Sequence, residues 1–209
     1  MQLSTSSFDD GGTISARYAF SRAHPDNHVA LSENVNPSLD WTEVPDGTKS
    51  FALICHDYDV PGVGDDVNQE DREIPADLRR VDFFHWVVVD LPGDLRAIAE
   101  GEFADGVVVG GQKVVDGPHG SRQGLNDFTG WFAEDADMRG NYYGYDGPAP
   151  PWNDSIIHHY VFTVFALDMD STLVYGNFTG HDVREVIDRH VLAEASVVGT
   201  YAQNPRLLD

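Results

Sequence analysis

Cysteine, lysine and long apolar runs are all scarce in this chain, and each scarcity removes a class of protein. Cys55 is the one cysteine among 209 residues, so no intrachain disulfide can form and no Cys-x-x-Cys zinc site exists. It lies in an apolar run and is expected to pack as a small buried hydrophobe. Lys49 and Lys113 are the two lysines, and Arg brings the cations only to 13 against 35 acidic residues. With a net charge of −22 and no basic patch, nucleic acid and anionic membrane surfaces are not expected partners. No segment approaches the 18 or so uninterrupted apolar residues of a membrane span. Residues 1–12 hold neither a basic nor an apolar stretch, so no signal peptide is expected and the cytoplasm is the default compartment. Gly-x-Ser-x-Gly and His-Glu-x-x-His do not occur, and the Gly-rich stretch Gly117–Gly124 lacks the Gly-Lys-Ser/Thr of a P-loop.

What is abundant is aspartate, 26 residues against 9 Glu, spread along the whole chain. Dispersed Asp with almost no Lys points to adaptation to concentrated salt. At about 1 M salt the screening length is roughly 3 Å, so self-repulsion that would strain the fold in dilute buffer becomes tolerable. The 41% of hydrophobic residues suffices for a core, and the length suits one domain over 1–209.

Strand patterns dominate. Thr13–Phe20 alternates apolar with polar or small residues and predicts a strand. Phe51–Cys55 is continuously apolar, as in a strand buried on both faces, and 62–82 reads as a polar excursion. Phe83–Leu91 and Tyr160–Leu167 predict the other strong strands, with short β-like runs at Val107–Val109 and Lys113–Val115. Residues 116–155 read mostly as loop. Val183, Val186, Ile187, His190 and Val191 then fall on one helical face behind a Thr179/Asp182 start signal. That helical pattern is read as continuing toward Val198, with Gly199 as its stop. The expected fold is mainly β: an antiparallel β-sandwich with a C-terminal amphipathic helix and long loops.

Polar clusters abut these strands. Asp57 and Asp59, at i and i+2, are expected to point to one side of a strand end, where two close carboxylates resist ionising together. Asp-x-Asp before Pro61 also serves as an ordinary turn cap. His85 is expected to share a face with Phe83, Val87 and Val89; His158 shares parity with Tyr160 and Phe162, and His159 faces away. A lone histidine on such a face is usually a satisfied core residue, but two in different strands of a chain with an Asp pair suggest a site. Gly147-Pro148-Ala149-Pro150-Pro151 predicts a rigid loop that can form a pocket wall.

These residues resemble the phosphatidylethanolamine-binding protein family, the fold of the Raf kinase inhibitor proteins, and in particular its prokaryotic YbhB/YbcL branch. The family's Asp-Pro-Asp-Ala-Pro motif is matched by Asp57-Tyr58-Asp59-Val60-Pro61, and its strand histidine by His85-Trp86-Val87-Val88. Its Gly-x-His-Arg-Tyr-Val-Phe element is matched by Ile157-His158-His159-Tyr160-Val161-Phe162. Gly124–Phe128 resembles the branch's Asn-Asp-Phe loop, Gly147–Pro151 its Gly-Pro-Cys-Pro-Pro turn, and His190–Tyr201 its C-terminal helix. Asn36–Trp41 and Pro45–Thr48 are similar to its N-terminal part. Tyr58, Ala149 and His159 depart from the family pattern, and the acidic insertion Trp131–Arg139 has no counterpart in it.

The resemblance implies a pocket for phosphate or a phosphorylethanolamine-like head group formed by Asp57, Asp59, His85 and His158, with Gly147, Pro148 and Tyr145 on its wall. His85 and His158 are expected to donate hydrogen bonds to anion oxygens. The implied role is a binding protein without catalysis, metal or cofactor, with a homodimer as an option that no seam in the sequence locates. Two alternatives use the same residues or surface: a metal-dependent or acid/base hydrolase built on the Asp/His set, and a kinase or protease inhibitor acting through protein contacts.

Overall fold

The apolar run Phe51–Cys55 is continuous because each of its faces meets a different core. The computed structural model describes residues 1–208. Its strands are β1 (Gln2–Ser4), β2 (Ser21–His24), β3 (His28–Leu31), β4 (Leu39–Thr42), β5 (Ser50–Pro61), β6 (Arg80–Pro92), β7 (Ala97–Ile98), β8 (Arg122–Gln123), β9 (His158–Leu167) and β10 (Val191–Tyr201). Two helices, α1 (Phe128–Trp131) and α2 (Gly180–Ile187), join them. The main sheet runs β10-β9-β5-β6-β8, a second sheet β1-β4-β7, and β2-β3 is a separate hairpin. The paired strands are antiparallel.

Phe51, Leu53 and Cys55 pack toward the second sheet with Leu39, Trp41, Trp86, Val88, Phe162 and Val164. Ala52 and Ile54 pack on the other side with Phe84, Val87, Val89 and the α2 residues Val183 and Ile187. Full burial of one such side chain is worth about 1.5–3 kcal/mol, which places β5 at the mechanical centre. Cys55 is buried and burial pushes its thiol well up, as expected of a packing residue.

Three expected elements come out differently. Thr13–Phe20 is not a strand: Ser15 accepts a hydrogen bond from the Arg17 N–H and starts a 3₁₀ turn over Ala16–Tyr18. A local hydroxyl cap outcompetes pairing there. The runs 107–109 and 113–115 stay out of any sheet, since Gly110 and Gly111 adopt left-handed φ of 78° and 76° between them. The C-terminal helix is real, and Thr179 and Asp182 form the reciprocal capping box, but it ends at Ile187.

Residues 191–201 are instead the strand β10, paired along β9 from Val191↔Leu167 to Tyr201↔His158. Its odd positions turn inward while Leu192, Glu194 and Ser196 are exposed, a period of two that the helical reading missed. Gly199 does not stop a helix; a Cβ there would collide with Ile14. Residues 11–14 cross at that point and bond to Val198 and Thr200. No helix among the described residues is long and apolar enough to cross a membrane.

Candidate functional site

Two bulges in the main sheet decide which side chains meet. On β6 the register jumps so that Cys55 faces Trp86 and His56 faces Phe84, leaving His85 as the extra residue. A bulge re-aims its side chain and reverses parity beyond it. His85 and Phe83 therefore line a cavity, while Val87 and Val89 pack on the opposite side under α2. This corrects the expectation that all four share a face.

A second irregularity lies between Asp57 and Val60, and it separates the carboxylates that regular alternation would align. Asp57 Oδ2 accepts from His158 Nδ1 at 2.6 Å, whereas Asp59 Oδ2 accepts from His159 Nδ1 at 2.8 Å and from the His159 N–H at 2.9 Å. The expected pair thus becomes two separate Asp–His contacts on opposite faces of β9. His159 faces outward as anticipated, its ring stacked on Tyr58 at 5.4 Å.

His158 is fully buried and both ring nitrogens are engaged, Nδ1 by Asp57 and Nε2 by Asp154 at 3.1 Å. Burial opposes its charge, but the two carboxylates prevail and raise its pKa to about 9. Asp154 in turn takes a bidentate guanidinium from Arg80, at 2.6 and 3.0 Å. Against the cost of burial, His158 and Arg80 hold the Asp154 carboxyl below its usual range. The result is a buried row Asp57–His158–Asp154–Arg80 with alternating charge. Fully satisfied rows of this kind fix geometry; a missing member is costly.

His85 is the opposite case. Its Nδ1 donates to the Asp146 carbonyl at 2.8 Å, and the Asp146 N–H donates back to the His85 carbonyl at 3.0 Å. Burial lowers its pKa to about 4, only partly offset by Asp57 and the Asp146 and Gly147 backbone. The ring is therefore neutral, and with Nδ1 protonated its Nε2 carries a lone pair.

The cavity these residues share has a volume of ≈ 540 Å³, within the range of small-molecule sites. Its polar lining includes Asp57, His85, Tyr160 and Gln203; most of the rest is apolar, including Phe83, Phe128, Phe132 and Pro150. The Tyr160 hydroxyl and Gln203 Oε1 are buried and find no hydrogen-bond partner among the described residues. Burial, and then the Asp57 carboxylate beside it, drive the Tyr160 hydroxyl well above its usual range, so it stays protonated and able to donate.

Of the seven expected site residues, Asp57 and His85 line this cavity, and His158 lies behind Asp57 as its support. Asp59 belongs to the outer His159 contact. Tyr145 is core: its hydroxyl donates to the Tyr18 carbonyl at 2.6 Å, and its ring packs edge-on against Trp86. Gly147 is required where it sits, because a Cβ would overlap the Tyr18 carbonyl, and its N–H donates to Asn34. The Pro148 carbonyl accepts from Phe20 and Ser21. These last residues anchor the rigid loop, whose Ala149, Pro150 and Pro151 supply the wall itself.

Sequence reasoning missed Tyr160, Gln203, Asp154, Arg80 and Asp146. The Asp146 carboxyl sits behind His85 between the amides of Asn34 and Asn126, at 2.9 and 2.8 Å. Burial raises its pKa to about 7 against both amides. Asp127 also accepts from the Phe84 N–H at 2.7 Å and donates its own N–H to the Phe84 carbonyl, so the Asn126–Phe128 segment clamps β6 beside the bulge. The insertion 131–139 contributes Trp131, Phe132 and Met138 to the cavity while Glu134, Asp135 and Asp137 face solvent. Among the described residues, no three His, Cys, Asp or Glu side chains gather as a metal site, so the zinc-hydrolase alternative lacks a ligand set there.

The family model described as phosphatidylethanolamine-binding protein matches residues 4–202. The UPF0098 protein YbhB of Escherichia coli K12 is 32% identical over 203 residues, covering 97% of this chain and 100% of that protein. A UPF0098 protein of Methanothermobacter thermautotrophicus is 32% identical over 201 residues, covering 96% and 98%. The crystal structure of E. coli YbcL, titled a new member of the mammalian PEBP family, superposes with a TM-score of 0.68 at 26% identity, over 96% of this chain and 97% of that one. Match, relatives and superposition each span nearly the whole fold, and on that ground the chain belongs to the phosphatidylethanolamine-binding protein family.

Proposed function

We propose that this chain binds a small phosphorylated head group, held in its singly protonated form, at Asp57, His85 and Tyr160. The observation that carries the reading is the neutral His85: its Nδ1 is committed to the Asp146 carbonyl, so it presents a hydrogen-bond acceptor to the cavity. Asp57 is an acceptor as well, and no Lys or Arg lines the cavity. An anion oxygen facing two acceptors must bring its own proton. The P–OH of a phosphomonoester monoanion does so, donating to Asp57 or His85, while the Tyr160 hydroxyl donates to a phosphoryl oxygen. This replaces the expected mechanism of two donating imidazoles. The binding reading needs no catalytic group.

The charge of −22 repels an approaching anion in dilute buffer. That repulsion is screened in multimolar salt, whereas short hydrogen bonds in a buried pocket are not. The chain is read as salt-adapted on the same grounds. Calorimetric titration with phosphorylethanolamine in multimolar KCl tests both points. Phosphomonoesters lose their second proton near pH 6, so affinity is expected to fall more than about tenfold between roughly pH 5.5 and pH 8, and to rise with added KCl at the lower pH. Affinity that climbs with pH would show the dianion to be the ligand and sink the protonated-head mechanism. No saturable binding at millimolar ligand at either pH would sink the head-group reading itself.

A further inference from the structure

The β2-β3 hairpin stands apart from the rest of the fold. It belongs to neither of the two larger sheets, and an isolated two-stranded ribbon is marginally stable in water. Its base is held firmly. Phe20 and Ser21 donate their N–H groups to the Pro148 carbonyl, the Ser32 N–H donates to the Phe20 carbonyl, and the Tyr201 hydroxyl donates to the Ser21 carbonyl. Beyond Ser21 the hairpin is a cantilever. Val29, Ala30 and Leu31 line the cavity, and none of them joins a buried core. Leu31, Val63 and Trp131, all about half exposed, frame the opening.

The tip is tied at one residue. His28 Nε2 donates to Glu70 Oε1 at 2.8 Å, and the His28 ring lies on Trp152 with centroids 3.8 Å apart and planes 12° from parallel. Among the described residues, this is the one hydrogen bond that leaves residues 22–30. The turn aims the ring: His28 has a left-handed φ of 62°, and His24 Nδ1 accepts the N–H groups of Asp26 and Asn27 at 3.3 Å. The receiving side is firm. The Trp152 N–H donates to Asn68 Oδ1, the Asn68 N–H donates to Asn153 Oδ1, and the Asn153 amide reaches the Asp66, Gln69 and Arg72 carbonyls. Glu70 and Trp152 therefore share one platform, which also supplies Val63, Val67 and Pro151 to the cavity.

Such a tie biases the tip without locking it. The side chains of His28 and Glu70 are 38% and 79% exposed, where an ion pair contributes little, and the ring stack adds a modest share. We propose that the β2-β3 hairpin is a gate over the cavity, latched at its tip by His28 on Trp152 and Glu70 and hinged at Phe20–Ser21 and Ser32. Release of the latch swings the Val29–Leu31 wall outward and lets the occupant pass. The inference concerns passage, and it holds whatever the cavity binds.

Amide hydrogen exchange at fixed KCl and without ligand tests the latch. His28→Asn keeps a residue that tolerates left-handed backbone and removes the ring; Trp152→Ala removes the surface it lies on. Each is expected to speed exchange over residues 22–31 about three- to tenfold and to leave β5 and β9 unchanged. The double variant should add little to either single one, and Glu70→Gln should give less than about threefold. Unchanged hairpin exchange in both single variants would overturn the latch. Faster exchange throughout the chain would show a pair that supports the fold instead of a gate. Line-shape NMR with phosphorylethanolamine then tests passage: in His28→Asn the on and off rates are expected to rise by the same factor at constant Kd. A rise in the off rate alone would make His28 part of the pocket wall and overturn the gate. Absence of binding by the unsubstituted chain would sink the head-group reading only, and the exchange pattern would still decide the latch.

Discussion

His85 and His158 flank the same strand and are both buried, yet one ring is neutral and the other cationic. On β6, His85 meets a backbone carbonyl, so burial wins and the ring is neutral to about pH 4. On β9, His158 lies between two carboxylates, so burial loses and the ring stays cationic to about pH 9. Burial alone does not set the charge of an imidazole; the partners that share its burial do. The division of labour follows. The charged ring is consumed in holding Asp57 in place, and the neutral ring, with a free nitrogen, is left to meet a ligand.

The sharpest way to break this comparison is to replace each ring by an amide. His158→Gln leaves Asp57 buried without its cation while Asp154 keeps Arg80, and is expected to cost about 3–5 kcal/mol of unfolding free energy. His85→Gln forfeits one hydrogen bond to a carbonyl and is expected to cost about 1 kcal/mol. Denaturant unfolding of both variants at fixed KCl is the measurement, and equal losses would mean that the alternating row does not carry the charge assigned to it.

A pH series separates the two without mutation. The raised pKa of His158 means its contribution is complete below the unfolded value of about 6.5 and is lost as pH rises through about 9. The lowered pKa of His85 means the reverse: its contribution is present above about 6.5 and is lost as pH falls through about 4. Asp146 adds a third window, since a carboxyl raised to about 7 stabilises the fold when protonated, and that share is lost as pH rises from about 3.8 through 7. Between about pH 4 and 6.5 the His85 and Asp146 contributions run in opposite directions, so Asp146→Asn is expected to unmask the rise due to His85 there and to keep the fall approaching 9. Ring-proton NMR should show His85 titrating near 4 with His158 unmoved until far higher pH; coincident titrations would refute the contrast.

The smallest expected effect is on Tyr160. Its hydroxyl makes no well-formed hydrogen bond to the protein, although the Asp57 carboxylate stands beside it, so Tyr160→Phe should cost little stability. Phosphorylethanolamine affinity should fall about tenfold, the worth of a hydrogen bond to a charged group. A stability loss above about 1 kcal/mol would show the hydroxyl to be structural.

The strands that flank the site were legible because their apolar runs are long and bounded, as at Phe51–Cys55 and Tyr160–Leu167. Asp57, His85 and His158 were legible because each sits at such a run, and the family motifs marked the same positions. What escaped notice was register. Nothing in Phe83-Phe84-His85-Trp86 announces that one residue is extra, so the face of Val87 was misassigned. Residues 191–201 carry apolar side chains at spacings that suit either period, and pairing with β9 decided for a strand. Asp146 adjoins the Gly147–Pro151 loop and Asp154 lies just before His158, but neither of them nor Arg80 carries a local pattern that names its partner, and those partners are fixed only by the closed fold.

The extra residue at His85 also has a genetic consequence. The cavity depends on the number of residues between Phe84 and Val87 as much as on their identity. A substitution at Trp86 changes packing in one place. Deleting one residue there would restore regular alternation and exchange the cavity side for the helix side on one half of the strand. This short stretch should therefore accept changes of type far more readily than changes of length.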